Sequence, residues 1–330
     1  MLRSCLDAVV ERHEVLRTTF VTERVSPRRW SARFVVPTCR SWTVVVPARP
    51  ASIRLFVPSW SGHSTWRVAR CSGPVILEAD DAGVLVLNMH HIVTDGWSIG
   101  VLQDELVALY PALAAGGASP LGELPLQYAD FAVWQRESLT PGRRSVLEGY
   151  WRKRLEGAPA YVSLPYDRAP AEVESREGDT FGFSLDPTAV EAVRAVARAE
   201  NSTVFVVLLA AYKVMLSRLT GQTDVVVATS VAGRDHPKLD ELIGFFVNNL
   251  VLRTDLGGGP SFRDTVRRVR QTVLDAQDHQ DLPFDMLVAA VRPPADHTRH
   301  RSCRRRWCTS PSRSRATRSE IWWCSRYQHR

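Results

Sequence analysis

Leu2, Leu6, Val9, Val10, His13 and Leu16 fall on one side of a helix, so the chain is expected to open on an amphipathic helix that runs into a strand near residue 20. Over residues 78–89 the pattern changes to a continuous apolar run, Val84-Leu85-Val86-Leu87-Asn88-Met89. Asp80-Asp81-Ala82-Gly83 precede this run and two histidines follow it, which predicts a buried strand. Helical spacing returns over residues 96–113, with Val101, Leu102, Leu106 and Leu109 on the buried side and Gly116-Gly117 as punctuation. Two more helical stretches cover residues 130–137 and 141–155, the second with Thr140 as cap and Pro141 in its first position.

After a stretch punctuated by Pro159, Pro165 and Pro170, alternation over 181–185 predicts a strand. Asp186 or Pro187 opens a helix over 188–199, and Ser202 is the expected cap of a long apolar helix over 204–219 that Gly221 ends. Residues 224–230 are β-branched and read as a buried strand, 249–255 as another, and 262–279 as a helix. Strands alternating with helices place the chain in the α/β class.

The segment with the most chemistry is His90-His91-Ile92-Val93-Thr94-Asp95-Gly96. A strand exit is where α/β enzymes often place reactive groups, and an imidazole there, with a carboxylate four residues later to fix the turn, suits proton movement.

The residues around it resemble the condensation domains of nonribosomal peptide synthetases. Met89 to Ser98 is similar to the family's H-H-x-x-x-D-G motif, and Arg12-His13-Glu14-Val15-Leu16-Arg17-Thr18 to its R-H-E-x-L-R-T motif. Tyr128-Ala129-Asp130-Phe131-Ala132-Val133-Trp134 resembles Y-x-D-F-A-x-W, Gly244 to Asn249 resembles G-x-F-V-N-T, and His279 to Asp285 resembles H-Q-D-x-P-F-E. Five motifs in the family's order are far more specific than one.

The resemblance implies two subdomains similar to chloramphenicol acetyltransferase flanking a central tunnel, incomplete here at both ends. It divides the chain into residues 1–156, with 22–77 atypical, a connector at 157–178, a partial second subdomain at 179–296, and an atypical, disordered basic tail at 297–330. The implied reaction is attack by the amine of a carrier-bound aminoacyl group on a carrier-bound acyl or peptidyl thioester. No cofactor is bound by the domain itself. Substrates arrive on the phosphopantetheine arms of donor and acceptor peptidyl carrier proteins, and an adenylation domain belongs to the same assembly line.

The resemblance assigns His91 as the group that takes the amine's proton or orients it, and Gly96 as a close-approach position that offers its N–H to the developing oxyanion. His90 and Asp95 are structural, His90 by packing against neighbouring elements and Asp95 by pairing with an arginine, for which Arg12, Arg17 and Arg234 are candidates. Trp97 and Ser98 pack and cap the following helix, Arg12 and Arg17 hold the first helix to the core, and Gly244, Asn248 and Asn249 line the cleft. Tyr128, Asp130 and Trp134 form a packing cluster, and His279 to Phe284 a structural turn. Residues 245–253 and 279–284 lean towards the subclass accepting a D-configured donor.

Charge and cysteine change the picture in two places. The net charge of +7 is concentrated: residues 297–330 hold ten Arg and one Glu, residues 22–77 nine Arg and one Glu, leaving −10 for the remainder. These segments also hold five of the six cysteines (Cys39, Cys71, Cys303, Cys308 and Cys324) and seven of the ten tryptophans. Such a composition shift is that of a displaced reading frame in a GC-rich gene or of misread sequence, and re-reading the coding DNA in all three frames tests it. Cys303 and Cys308 lack a second pair at zinc-site spacing, so no metal is expected, and Arg304-Arg305-Arg306 reads as a solvated tail rather than a nucleic-acid patch.

No apolar stretch reaches the length of a membrane span and no signal-peptide pattern opens the chain, so no membrane partner and a cytoplasmic location are expected. Two other functions are weighed: acylation of a small soluble amine or alcohol, and a non-catalytic remnant or docking platform. A sheet lacking strands leaves backbone groups unpaired, so the 330-residue chain is expected to fold poorly and turn over slowly by itself.

Overall fold

The computed structural model describes residues 1–26, 29–35, 72–79, 82–159, 162–165 and 182–292. The basic tail, five of the cysteines, residue 181 and most of the 157–178 connector lie outside the described residues. The described elements are helix α1 (Leu2–Arg12), strands β1 (Thr19–Ser26), β2 (Arg29–Val35), β3 (Ser72–Ala79) and β4 (Ala82–Asn88), and helices α2 (Gly96–Ala114), α3 (Tyr128–Ser138) and α4 (Pro141–Leu155). Then come α5 (Pro187–Ala199), α6 (Val204–Thr220), β5 (Asp224–Val231), β6 (Asn248–Asp255), α7 (Phe262–Gln277) and α8 (Phe284–Val291). The strands pair antiparallel as β1–β2, β3–β4 and β5–β6.

Two compact units emerge. Among the described residues the first comprises Met1–Val133 and Arg234–Phe246, and the second Trp134–Gly233 and Val247 onward. In the first, α1 packs its Cys5 and Val9 against Leu102 and Leu109 of α2, with Val15, Val93 and Ile243 completing the cluster. Leu87 of β4 and Met89, just beyond the strand's end, add to it.

In the second unit, β5 and β6 pair residue for residue from Asp224↔Asp255 to Val231↔Asn248, and Val225, Val227, Leu250 and Leu252 face a core shared with α6 and α7. Ser261 and Asp264 form a reciprocal capping box at the start of α7. Thr140 caps α4 with Pro141 in its first turn, and Gly221 ends α6 at φ 72°, a left-handed conformation that favours glycine.

Three local expectations are corrected. The strand expected over 78–89 is two: β3 ends at Ala79, and β4 returns against it from Ala82. Residues 182–185 carry no regular structure. The cap of α6 is Thr203, not Ser202: Thr203 is extended and its hydroxyl accepts the Val206 N–H, three positions on, whereas the Ser202 N–H closes the preceding turn on Ala197. Among the described residues no single helix is long and apolar enough to cross a membrane.

One charged side chain lies inside the second core. Lys213 of α6 is fully buried, and its ammonium donates to the carbonyls of Val225 (3.2 Å) and Leu252 (2.7 Å). Burial, reinforced by the Arg154 guanidinium and opposed by the Asp224 carboxylate, lowers its pKa to about 7. An unfolded lysine titrates near about 10.4, so between these values the unfolded chain holds a proton that the folded chain has shed, and stability rises with pH. Below the folded value both forms are protonated and the slope vanishes. Above pH about 7, the wild type is expected to gain up to about 1.4 kcal/mol per pH unit relative to Lys213→Met. Denaturant titrations of both proteins across this range check it, and parallel profiles would refute it.

Candidate functional site

The histidine loop is built by three local devices. His90 precedes a single 3-10 turn, His91–Val93, and its Nδ1 accepts the Ile92 N–H at 3.0 Å. Desolvation of the His90 ring and the neighbouring His91 hold its pKa below the ordinary imidazole value, consistent with an unprotonated Nδ1 in that role. Val93, 1% exposed, anchors the turn in the core. Asp95 then caps α2, its Oδ1 accepting the Ser98 N–H at 2.8 Å.

His91 is half-buried, with Nδ1 2.7 Å from the Thr94 carbonyl oxygen. A carbonyl only accepts, so Nδ1 carries the hydrogen, and in the neutral ring the basic lone pair lies on Nε2. The Phe245 ring meets the imidazole edge to face, with centroids 5.0 Å apart and planes at 88°.

Asp95 and Arg234 form a pair whose side chains are 0% and 1% exposed, with Nη2 3.4 Å from Oδ1. The carboxylate also accepts the Ser98 hydroxyl at 2.7 Å and, on Oδ2, the Phe246 N–H at 3.0 Å. Arg234 further donates to the carbonyls of Leu239 and Leu242 and to Ser98 Oγ, and its guanidinium lies 3.9 Å from the centroid of the Phe246 ring. Burial lowers the pKa of Arg234, and the Asp95 charge opposes the shift. Trp97 Nε1 donates to the Asp240 carbonyl at 2.9 Å.

Residues 74–304 match the model of the family described as Condensation domain. The chain belongs to this condensation-domain family. It is 39% identical over 293 residues to part of a linear gramicidin synthase of Brevibacillus parabrevis, covering 85% of this chain and 6% of that protein. Among solved structures it is similar to the X-domain from teicoplanin biosynthesis, at 27% identity and a TM-score of 0.75, over 91% of this chain and 67% of that one. It is also similar to the first condensation domain of the CDA synthetase, at 21% identity and a TM-score of 0.70, over 88% and 69%. The chain therefore spans a small fraction of the synthase it matches. The α/β fold is of the chloramphenicol acetyltransferase-like kind anticipated for a condensation domain of nonribosomal peptide synthetases.

Of the three arginines weighed for Asp95, Arg234 is the partner. Arg12 pairs with Glu105 of α2 at 2.8 Å, tying the end of α1 to that helix, and Arg17 pairs with Glu14 at 3.5 Å. His90, expected to be structural, has its surface open to solvent while its Nδ1 bonds within the loop to the Ile92 N–H. Of the expected Tyr128–Asp130–Trp134 packing cluster, Tyr128 does pack, against the rings of Phe131 and Phe246, whereas Asp130 accepts the Gln127 N–H at the start of α3 and Trp134 is 59% exposed. In the second unit, the Asn248 amide donates to Gln280 and Leu282 carbonyls and accepts the Asn249 and Phe284 N–H groups, so its contacts are with the turn before α8.

Four residues near the loop were not singled out by sequence reasoning as parts of the site. His13 accepts the Ile243 N–H on Nδ1 and so donates from Nε2 to buried Glu105 at 2.9 Å. Tyr128 donates its hydroxyl to the Phe245 carbonyl at 2.9 Å. Burial first, then the Asp95 carboxylate, raise its pKa to about 12, which keeps it a donor. Phe245 is the fourth. In the sequence it stands only as a member of the 245–253 stretch and as the neighbour of Gly244, where a Cβ would collide with the Tyr128 ring.

Proposed function

We propose that this condensation domain joins a carrier-bound acyl or peptidyl thioester to a carrier-bound aminoacyl group, with His91 Nε2 receiving the amine's proton. The observation that carries this reading is the hydrogen bond from Nδ1 to the Thr94 carbonyl, which commits the lone pair of the neutral ring to Nε2. The amine nitrogen adds to the thioester carbon, the C–N bond forms, and the ammonium proton passes to Nε2. The C–S bond then breaks, and the proton returns to the departing thiolate of the donor's phosphopantetheine arm. A thioester is already activated, so the domain supplies proton transfer and position rather than a covalent intermediate. The Gly96 N–H, at the start of α2, supports the oxyanion, while Asp95 and Arg234 keep the loop in shape.

The experiment offers the chain, once a cooperative unfolding transition shows that it is folded, an acyl-loaded donor carrier with either an aminoacyl-loaded acceptor carrier or the same amine free in solution. The expected product is the extended acyl group on the acceptor carrier. Preferred acylation of the free amine would instead make the chain a small-molecule acyltransferase, and no amide from either would favour a non-catalytic docking platform.

A further inference from the structure

We propose that Phe245 is a positioning residue for His91, fixing the direction of its Nε2 lone pair; this rests on the reaction proposed above. The imidazole is tethered through Cγ and hydrogen-bonded at Nδ1, so a pivot of the ring about that side is the motion that would swing Nε2. The edge-to-face contact with Phe245 restrains that pivot, because the positive edge of one ring is held against the negative face of the other. Phe245 is itself 38% exposed, so its side chain is not a core-packing residue.

Its backbone, in contrast, is closely registered to the histidine loop. Residues 243–246 form neither helix nor strand, and side chains take up their peptide groups. His13 Nδ1 accepts the Ile243 N–H, and Ser98 Oγ accepts the Gly244 N–H at 3.0 Å. The Tyr128 hydroxyl donates to the Phe245 carbonyl, and Asp95 Oδ2 accepts the Phe246 N–H. The Ser98 hydroxyl has one proton, which it directs to Asp95 Oδ1 or to the Gly244 carbonyl, 2.7 and 2.9 Å away. Two of these four side chains, Asp95 and Ser98, belong to the cap that ends the histidine loop. The loop and the segment carrying Phe245 are therefore set by the same groups, and the absence of a side chain at Gly244 lets the Tyr128 ring lie against that segment.

The test uses the full chain with Phe245→Leu, Phe245→Tyr and His91→Ala, read by steady-state kinetics on loaded carriers and by 15N NMR of the histidine ring nitrogens. The His91 signals are identified by their loss in His91→Ala. Phe245→Leu is expected to lower kcat roughly tenfold through misplacement of the base, with KM for both carriers unchanged. It should also move the His91 nitrogen signals, and Phe245→Tyr should restore both readouts. In a His91→Ala background Phe245→Leu should cost nothing further. Unmoved His91 signals in Phe245→Leu, an unchanged kcat, or a rise in KM alone would each overturn the proposal. Full turnover by His91→Ala would instead overturn the base assignment, and the nitrogen signals would still decide whether Phe245 holds the ring.

Discussion

Replacing His91 with alanine is expected to lower the rate of amide formation on carrier-bound substrates by a factor of roughly 10²–10⁴, the usual worth of a positioned general base. The fold should survive, because the ring is half-buried and its Nδ1 bond is local, to a carbonyl three residues on. His91→Gln separates two roles that alanine merges. A glutamine amide can still donate to the Thr94 carbonyl and can still present an oxygen to the amine, yet it cannot take up a proton. If the histidine acts as a base, glutamine should be as slow as alanine. If it mainly orients the amine, glutamine should recover most of the lost rate. Single-turnover rates on preloaded carriers measure the chemical step directly, and alanine turning over like the wild type would remove His91 from the mechanism.

Asp95→Ala should cost about 3–5 kcal/mol of unfolding free energy, the penalty for leaving one member of a buried ion pair without its partner. The Arg234 side chain is 1% exposed, so the orphaned guanidinium has no access to water as a substitute for the carboxylate. The same change removes the cap of α2 and the acceptors of the Ser98 hydroxyl and the Phe246 N–H. Asp95→Asn keeps an oxygen for the cap and loses the charge, so a smaller loss is expected. Pairing Asp95→Asn with Arg234→Met should recover much of the deficit, because the buried charge is then gone as well. Urea titration of the four proteins checks the order, and a loss below about 1 kcal/mol for Asp95→Ala would show that the pair is not a structural keystone.

The parts of this molecule legible in the sequence are those decided within a few residues. Thr140 before Pro141 at α4, Asp186 at α5 and Gly221 after α6 all act over one turn, and each stands where local chemistry put it. Arg234 is visible in the sequence as a partner for Asp95 only as one of three arginines. The choice is made across 139 positions by the fold, which sends Arg12 to Glu105 and Arg17 to Glu14. The β3–β4 hairpin reads as one strand because its first arm lies in a stretch whose composition hides the pattern. The contact of Phe245 with His91 is invisible for a different reason: it depends on ring geometry and on hydrogen bonds to the backbone around Phe245, neither of which leaves a periodicity.

The side-chain bonding of residues 243–246 bears on how members of this family can be recombined. The groups that hold this stretch, His13, Asp95, Ser98 and Tyr128, all precede it by more than a hundred positions. A crossover anywhere between Tyr128 and Arg234 takes the holders from one parent and the held peptide from the other. Chimeras cut before His13 or after Phe246 inherit the holders and the held peptide together and should be the ones that keep a working imidazole.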